Sequence, residues 1–280
     1  MANFHVYAAG TGSNVEHPAI RRIGVADVLD ALRRGFDDFW DKPSHYVFLC
    51  LIYPVVGVLL ITWTSGGNAL QLIYPMVTGF ALLGPFAAIG LYEISRRREK
   101  NLDTSWTHAF EVRQSPAMPA IAVLGIMLMA LFVAWLLSAH ALYSWLYGDT
   151  LPATFTGFVN DVLTTSRGWT LIVLGNLIGF LFALVALSTT VVAFPLLLDR
   201  DIGAYAAVET SARAIMANPV PMLLWGLIVA AALVVGSIPL LVGLAIVLPV
   251  LGHSTWHLYR KLIEPAPAPA PVKKSRKRAT

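Results

Sequence analysis

Charge is what this sequence has least of: Asp, Glu, Lys and Arg make up 13% of its 280 residues, about half the share usual in a soluble domain. The shortage is uneven. Residues 43–92, 114–148, 168–198 and 214–259 contain none of the four. A membrane crossing takes about 20 apolar residues, so these blocks exclude an ordinary soluble protein and leave room for six crossings. Cysteine is nearly absent too: one residue, Cys50, excludes an intramolecular disulfide and every spaced Cys pattern for zinc or redox work.

Other absences narrow the chemistry. The chain has no Gly-Lys-Ser/Thr phosphate loop, no Gly-x-Ser-x-Gly elbow and no His-Glu-x-x-His. No carboxylate, lysine or arginine falls near the centre of a predicted membrane helix, and ion-coupled transport usually depends on such groups. The first 20 residues are polar and lack the basic start and short apolar core of a cleaved signal, so no removal is expected.

What is present is apolar sequence with regular punctuation. Helices are predicted at 47–63, 70–92, 119–141, 170–198, 220–235 and 238–258, with tight turns at Ser65-Gly66-Gly67-Asn68 and Gly236-Ser237-Ile238-Pro239. The fold class expected is all-α, a polytopic bundle of six transmembrane helices in three hairpins. Several of these helices are short for a full crossing, which implies tilt or local thinning. Nineteen of the twenty Lys and Arg residues fall on one side of this scheme, with only Arg167 opposite. The positive-inside rule then puts both ends in the cytoplasm.

Each hairpin is preceded by an amphipathic segment. In the first, Val25, Val28, Leu29, Leu32, Phe36, Phe39 and Trp40 recur at helical spacing, with Asp27, Asp30, Arg33, Arg34, Asp37 and Asp38 assigned to the other face. The second, 103–113, has Asp103 as its expected N-cap; the third, 203–216, carries a Glu209–Arg213 pair at i, i+4. Each ends at a proline, in Lys42-Pro43, Ser115-Pro116 and Asn218-Pro219, which disfavours helix at the residue before it and marks a bend into the membrane. Three repeat units follow, 21–98, 99–200 and 201–263, flanked by a flexible cytoplasmic N-terminus at 1–20 and a disordered tail at 264–280.

Pro85, Pro195 and Pro249 lie inside the second helix of each unit, and polar groups follow within about two turns: Glu93, then Asp199 and Asp201, then His253 and His257. One reading is that these cap helix ends and pair with nearby arginines. The other gathers them into one cytoplasm-facing polar cluster. His253 and His257 share a helical face at metal-ligand spacing, but two ligands do not make a site, and no metal or other cofactor is expected. Asn176, between Gly175 and Gly179, is read as a structural hydrogen bond between close helices. The tail EPAPAPAPVKKSRKRAT is an extended spacer with a basic cluster, read as solvated or as a contact for anionic lipid. The expected partners are the lipid bilayer and other membrane proteins; no nucleic acid is expected.

The stretches GPFAAIGLYEISRR, FPLLLDRD, ANPVPMLLWG and LPVLGHSTWHLYR resemble the bacterial integral-membrane family catalogued as domain of unknown function 2189, across nearly all of 21–263. The resemblance implies no established activity. Labels on some relatives suggest a cytochrome c oxidase subunit. A catalytic subunit of that kind needs several intramembrane histidines, whereas His45, His140, His253 and His257 are scattered at the borders. The expectation is a membrane protein without an evident catalytic site, a scaffold, assembly or accessory component. The alternatives are a transporter or channel for a small or lipid-like substrate, and an accessory protein of an oxidase-type respiratory complex.

Overall fold

A computed structural model describes residues 18–41, 70–148, 152, 154–239 and 241–265. The expected helix at 47–63, the turn at 65–68, the Lys42-Pro43 bend and the basic tail lie outside the described residues. Within them the chain is helical, and its one strand-like pairing is an antiparallel bridge of Ile20 with Ile263. Arg21 N–H donates to the Leu262 carbonyl at 2.8 Å and Glu264 N–H to the Ala19 carbonyl at 3.1 Å. The segment before the first helix is thereby joined to the segment after the last.

Helix α1 spans Val25–Asp41 and buries Val28, Ala31, Gly35, Asp38 and Phe39 along one stripe. Four stretches among the described residues are long and apolar enough to cross a membrane: Leu70–Glu99, Met118–Tyr147, Ser166–Asp199 and Pro219–Ser237. The first is segmented into α2 (Ile73–Phe80), a 3-10 turn at Ala81–Leu83, α3 (Gly84–Ala87) and α4 (Ile89–Glu99). The 3-10 turn begins at Ala81, the i−4 neighbour of Pro85, where the proline ring crowds the carbonyl and removes its donor. Helix α5 (Met118–Tyr147) is unbroken. Helix α6 (Phe155–Thr164) lies in the connection that follows and leads to α7 (Ser166–Thr190). A turn at 191–192 separates α7 from α8 (Ala193–Asp199), again four residues before a proline, Pro195, and the Val192 N–H is received by Ser211 Oγ at 3.2 Å.

Helices α9 (Ala204–Ala217), α10 (Pro219–Ser237) and α11 (Leu244–Leu262) follow, the last helices among the described residues. The bend between α9 and α10 sits at Asn218-Pro219, and the Ser115-Pro116 bend has the extended backbone a following proline imposes. Asn218 does more than bend. Its side chain accepts from Ile23 N–H at 2.8 Å and donates to the carbonyls of Arg21 and Ala214 at 3.0 Å, tying the N-terminal segment to the start of α10.

Three further differences from the sequence expectation concern helix ends and caps. The segment after Asp103 is a 3-10 helix, Trp106–Gln114, with Ser105 at its N-cap position. Asp103 instead accepts from Ser105 N–H and faces His108 at 2.8 Å. The sixth helix begins at Leu244 rather than 238, because Gly236 and Gly243 abut; a Cβ on Gly243 would lie 2.7 Å from the Gly236 carbonyl oxygen. The helix carrying Glu93 does not end there but continues to Glu99, supported by the Glu93–Arg96 pair at i, i+3.

The hydrophobic core collects at one end of the molecule, which we call the base. Ile89 and Tyr92 of α4, Ile121 and Leu124 of α5, Phe194 and Leu197 of α8, Trp225 of α10 and Trp256 of α11 pack there with Val28 of α1. Away from the base the long helices are largely uncovered, and almost none of the most apolar stretch within Ser166–Asp199 is buried.

Candidate functional site

The polar residues of the base are interleaved with this core. Asp38, on the buried stripe of α1, is 6% exposed. Its Oδ2 receives Ser95 Oγ–H at 2.8 Å and His257 Nε2–H at 2.9 Å, and its Oδ1 lies 3.2 Å from the Arg98 guanidinium. A carboxylate only accepts, so Ser95 spends its single hydrogen on Asp38; its oxygen is left to accept from His253 Nδ1–H, 2.7 Å away. That logic assigns the His253 tautomer from the network. Burial pushes the Asp38 carboxyl upward, but the His257 hydrogen bond and the positive groups around it prevail and hold it below its ordinary value of 3.8.

A second set lies one turn further along α11. Asp199 of α8 receives Tyr259 O–H at 2.8 Å and the Arg260 guanidinium at 3.3 Å. Arg260 also grips Glu99 of α4 at 2.8 and 3.0 Å, and Trp256 Nε1–H donates to the same carboxylate at 3.2 Å. On the α1 side, Lys261 bridges Asp27 at 3.2 Å and Asp30 at 2.8 Å. The Gly24 N–H is the main cause that lowers the Asp27 carboxyl, and the Lys261 bond does the same for Asp30. Burial works against the Lys261 charge, yet its two carboxylate partners raise its affinity for the proton. Thus the last three turns of α11 present paired polar groups to α1, α4 and α8 together.

Of the residues singled out in the sequence, the structure brings His253 and His257 together at Asp38. Glu93 is buried on α4 and held by Arg96 at 2.7 and 3.0 Å, with Arg97 at 3.9 Å. Asp199 belongs to the Tyr259 and Arg260 set, while Asp201 is exposed. Asn176 receives Tyr74 O–H at 2.7 Å across helices and donates to its own helix at the Ile172 carbonyl. Sequence reasoning missed Asp38, Ser95, Arg98 and Glu99, and assigned Asp38 to the polar face of its helix. The signal was there: Asp38 stands three residues after Gly35 and seven after Ala31, which places it on the same stripe as both.

The arrangement does not fit nucleophilic catalysis. Ser95 is buried, and its hydroxyl is held between Asp38 and His253 rather than presented to an open surface. Surface depressions formed by Thr107, Phe110, Glu111, Arg113 and Gln114, and by Phe36, Asp37, Trp40 and Asp41, are lined by none of its residues. Among the described residues no three His, Cys, Asp or Glu side chains form a metal-holding group.

Comparison with known proteins gives a match over part of the chain. Residues 73–199 match the family model of DUF2189, predicted integral membrane proteins. The chain carries a DUF2189 region. The match takes in GPFAAIGLYEISRR and most of FPLLLDRD, so within the DUF2189 region fall Ser95, Arg98, Glu99 and Asp199. Their partners Asp38, His253, His257 and Arg260 lie beyond its bounds. No match was found among curated proteins or among solved structures.

Proposed function

We propose that this integral membrane protein is a non-enzymatic scaffold or accessory component of a membrane complex in the bacterial inner membrane. Six membrane-inserted segments would be arranged as three hairpins entering from the cytoplasmic side, with both chain ends and the base cytoplasmic. The observation that carries the reading is the closure of the base. Its charged and polar groups are spent on one another across α1, α4, α8 and α11, so the part of the molecule richest in chemistry works as a clamp. Away from the base the open surface is lateral and apolar: Val173, Leu177, Phe180 and Leu184 on α7 face outward. Exposed apolar surface of this extent suits lipid or a neighbouring membrane protein.

A transport reading would need open space at Glu93, Asp199 and His257, and these are engaged by Arg96, Tyr259 and Asp38. The oxidase-accessory alternative gains no observation of its own. A photo-reactive residue at Phe180 of the full chain, activated in native membranes, tests the scaffold reading. It predicts a discrete protein adduct of fixed mass. Adducts with lipid alone, together with recovery of the protein by itself in mild detergent, would contradict it.

A further inference from the structure

Of the hairpin of α10 and α11, α10 alone is long and apolar enough to cross a membrane, and the surroundings of α11 set a shallower depth. Helix α1 runs antiparallel along α11. Asp27 and Asp30 meet Lys261, Gly35 lies on Ser254, and Asp38 meets His257 and His253. On the open side of α1, Arg33, Arg34, Asp37 and Asp41 are exposed. Charges on an uncovered face do not enter hydrocarbon, where burying each is costly. The part of α11 alongside α1, 253–262, therefore lies in the polar zone. Residues 244–252 remain above it, and at about 1.5 Å per residue they reach only about 12 Å into a layer about 30 Å thick.

The neighbouring helix gives the same answer independently. Gly226 of α10 faces Leu187 of α7, where a Cβ would sit 3.2 Å from the leucine methyl. From that common level α7 continues away from the base to Ser166 and α10 to Ser237. Those lengths are about 32 Å and about 16 Å, so the tip of the hairpin stops about 15 Å below the far end of α7. The tip is also built for an apolar setting. Val235, Ile238 and Val242 are exposed, Ser237 Oγ–H is spent on its own helix at the Leu233 carbonyl, and no charged residue occurs between Arg213 and Arg260. By contrast, the connection at the far end of α7 carries Asp161 paired with Arg167 at 2.9 Å.

We propose that α10 and α11 form a half-depth hairpin: it enters from the base side, turns at 238–243 among lipid acyl chains, and returns without reaching the opposite surface. The inference rests on the membrane orientation proposed above and replaces the last two of six expected crossings with one re-entrant element. Single cysteines at Arg22, Thr156 and Ile238 in the Cys50→Ser full-length chain test it with a membrane-impermeant maleimide on intact cells, permeabilised cells and detergent-solubilised protein. Thr156→Cys should label in intact cells and Arg22→Cys only after permeabilisation. Ile238→Cys should label at least tenfold more slowly than either until the bilayer is dissolved. A nitroxide on Ile238→Cys or Val242→Cys should collide more with oxygen than with a water-soluble nickel chelate. Labelling of Ile238→Cys from outside as fast as Thr156→Cys, or nickel contact exceeding oxygen contact, would overturn the proposal. Reversed labelling of Thr156→Cys and Arg22→Cys would overturn the orientation instead, while the nitroxide still reads the depth.

Discussion

Gly35 of α1 lies directly on Ser254 of α11. A Cβ placed on Gly35 would collide with the Ser254 hydroxyl and backbone, its Cα being 2.6 Å away. Close approach of two helices needs a residue without a side chain, and here it brings Asp38 within reach of both histidines. Gly35→Ala should destabilise the protein by about 1–3 kcal/mol through overpacking, and Gly35→Leu by more, because it also separates Asp38 from His257. Thermal unfolding in detergent reads both, and a Gly35→Leu protein with wild-type stability would show that the helices are not in contact.

Removing the acceptor at the centre of the base should be worse than removing a donor. Asp38→Ala leaves Arg98, His257 and Ser95 without their common partner, a change that costs on the order of 3 kcal/mol for a buried charge pair broken on one side. Asp38→Asn keeps the shape but loses the charge, and His257→Gln removes one bond of several; both should fall between Asp38→Ala and the wild type. The ranking of unfolding midpoints checks this, and Asp38→Ala tolerated better than His257→Gln would contradict it.

Acidification should loosen α1. The Asp38, Asp27 and Asp30 carboxyls are each held below their ordinary value of 3.8. A depressed acid contributes stability that is fully present above its unfolded pKa and is lost as pH falls through the lower, folded one. Melting temperature should therefore fall from about pH 4 downward, and less steeply in Asp38→Asn. His108 has the opposite sign: its hydrogen bonds to Asp103 and then Glu111 raise its pKa, so its contribution is complete below 6.5 and lost as pH rises through the folded value. Its ring signals in a ¹³C-labelled sample should titrate above 6.5, and below it only if those ion pairs are absent.

Within the membrane part, Trp135 is closely packed. Its Nε1–H donates to the Pro75 carbonyl at 2.7 Å, while Cβ atoms on Gly79 and Gly179 would lie 2.5 and 3.1 Å from its ring. Trp135→Phe should cost about 0.6 kcal/mol, the average for such a bond between membrane helices, and Trp135→Ala about 3–5 kcal/mol from the cavity. Equal effects of the two substitutions in a detergent unfolding assay would rule out this division.

Much of the helical framework was legible because lipid imposes a simple rule on composition. The long apolar stretches of α5, α7 and α10, the bends before Pro116 and Pro219, and the family of residues 73–199 all follow from local patterns. The base was not legible, because its pairs join residues far apart in the chain, as Asp38 joins His257 and Ser95. Reading α1 by hydropathy put Asp38 with the other acids on the polar face and Val25, Leu29, Phe36 and Trp40 on the apolar face. Packing through Gly35 rotates the buried stripe so that Asp38 is covered and those four are exposed. The polar end of α11 was read as a border with water, whereas the side chains of α1, α4 and α8 take the place of that water.

The most direct test of the closed base is a crosslink between its two ends. With Cys50 replaced by serine, cysteines at Ile20 and Ile263, the antiparallel bridge pair, should oxidise to an intramolecular disulfide in native membranes, and Asp38→Ala should slow the reaction. Failure to crosslink under conditions in which both thiols label freely would contradict the account.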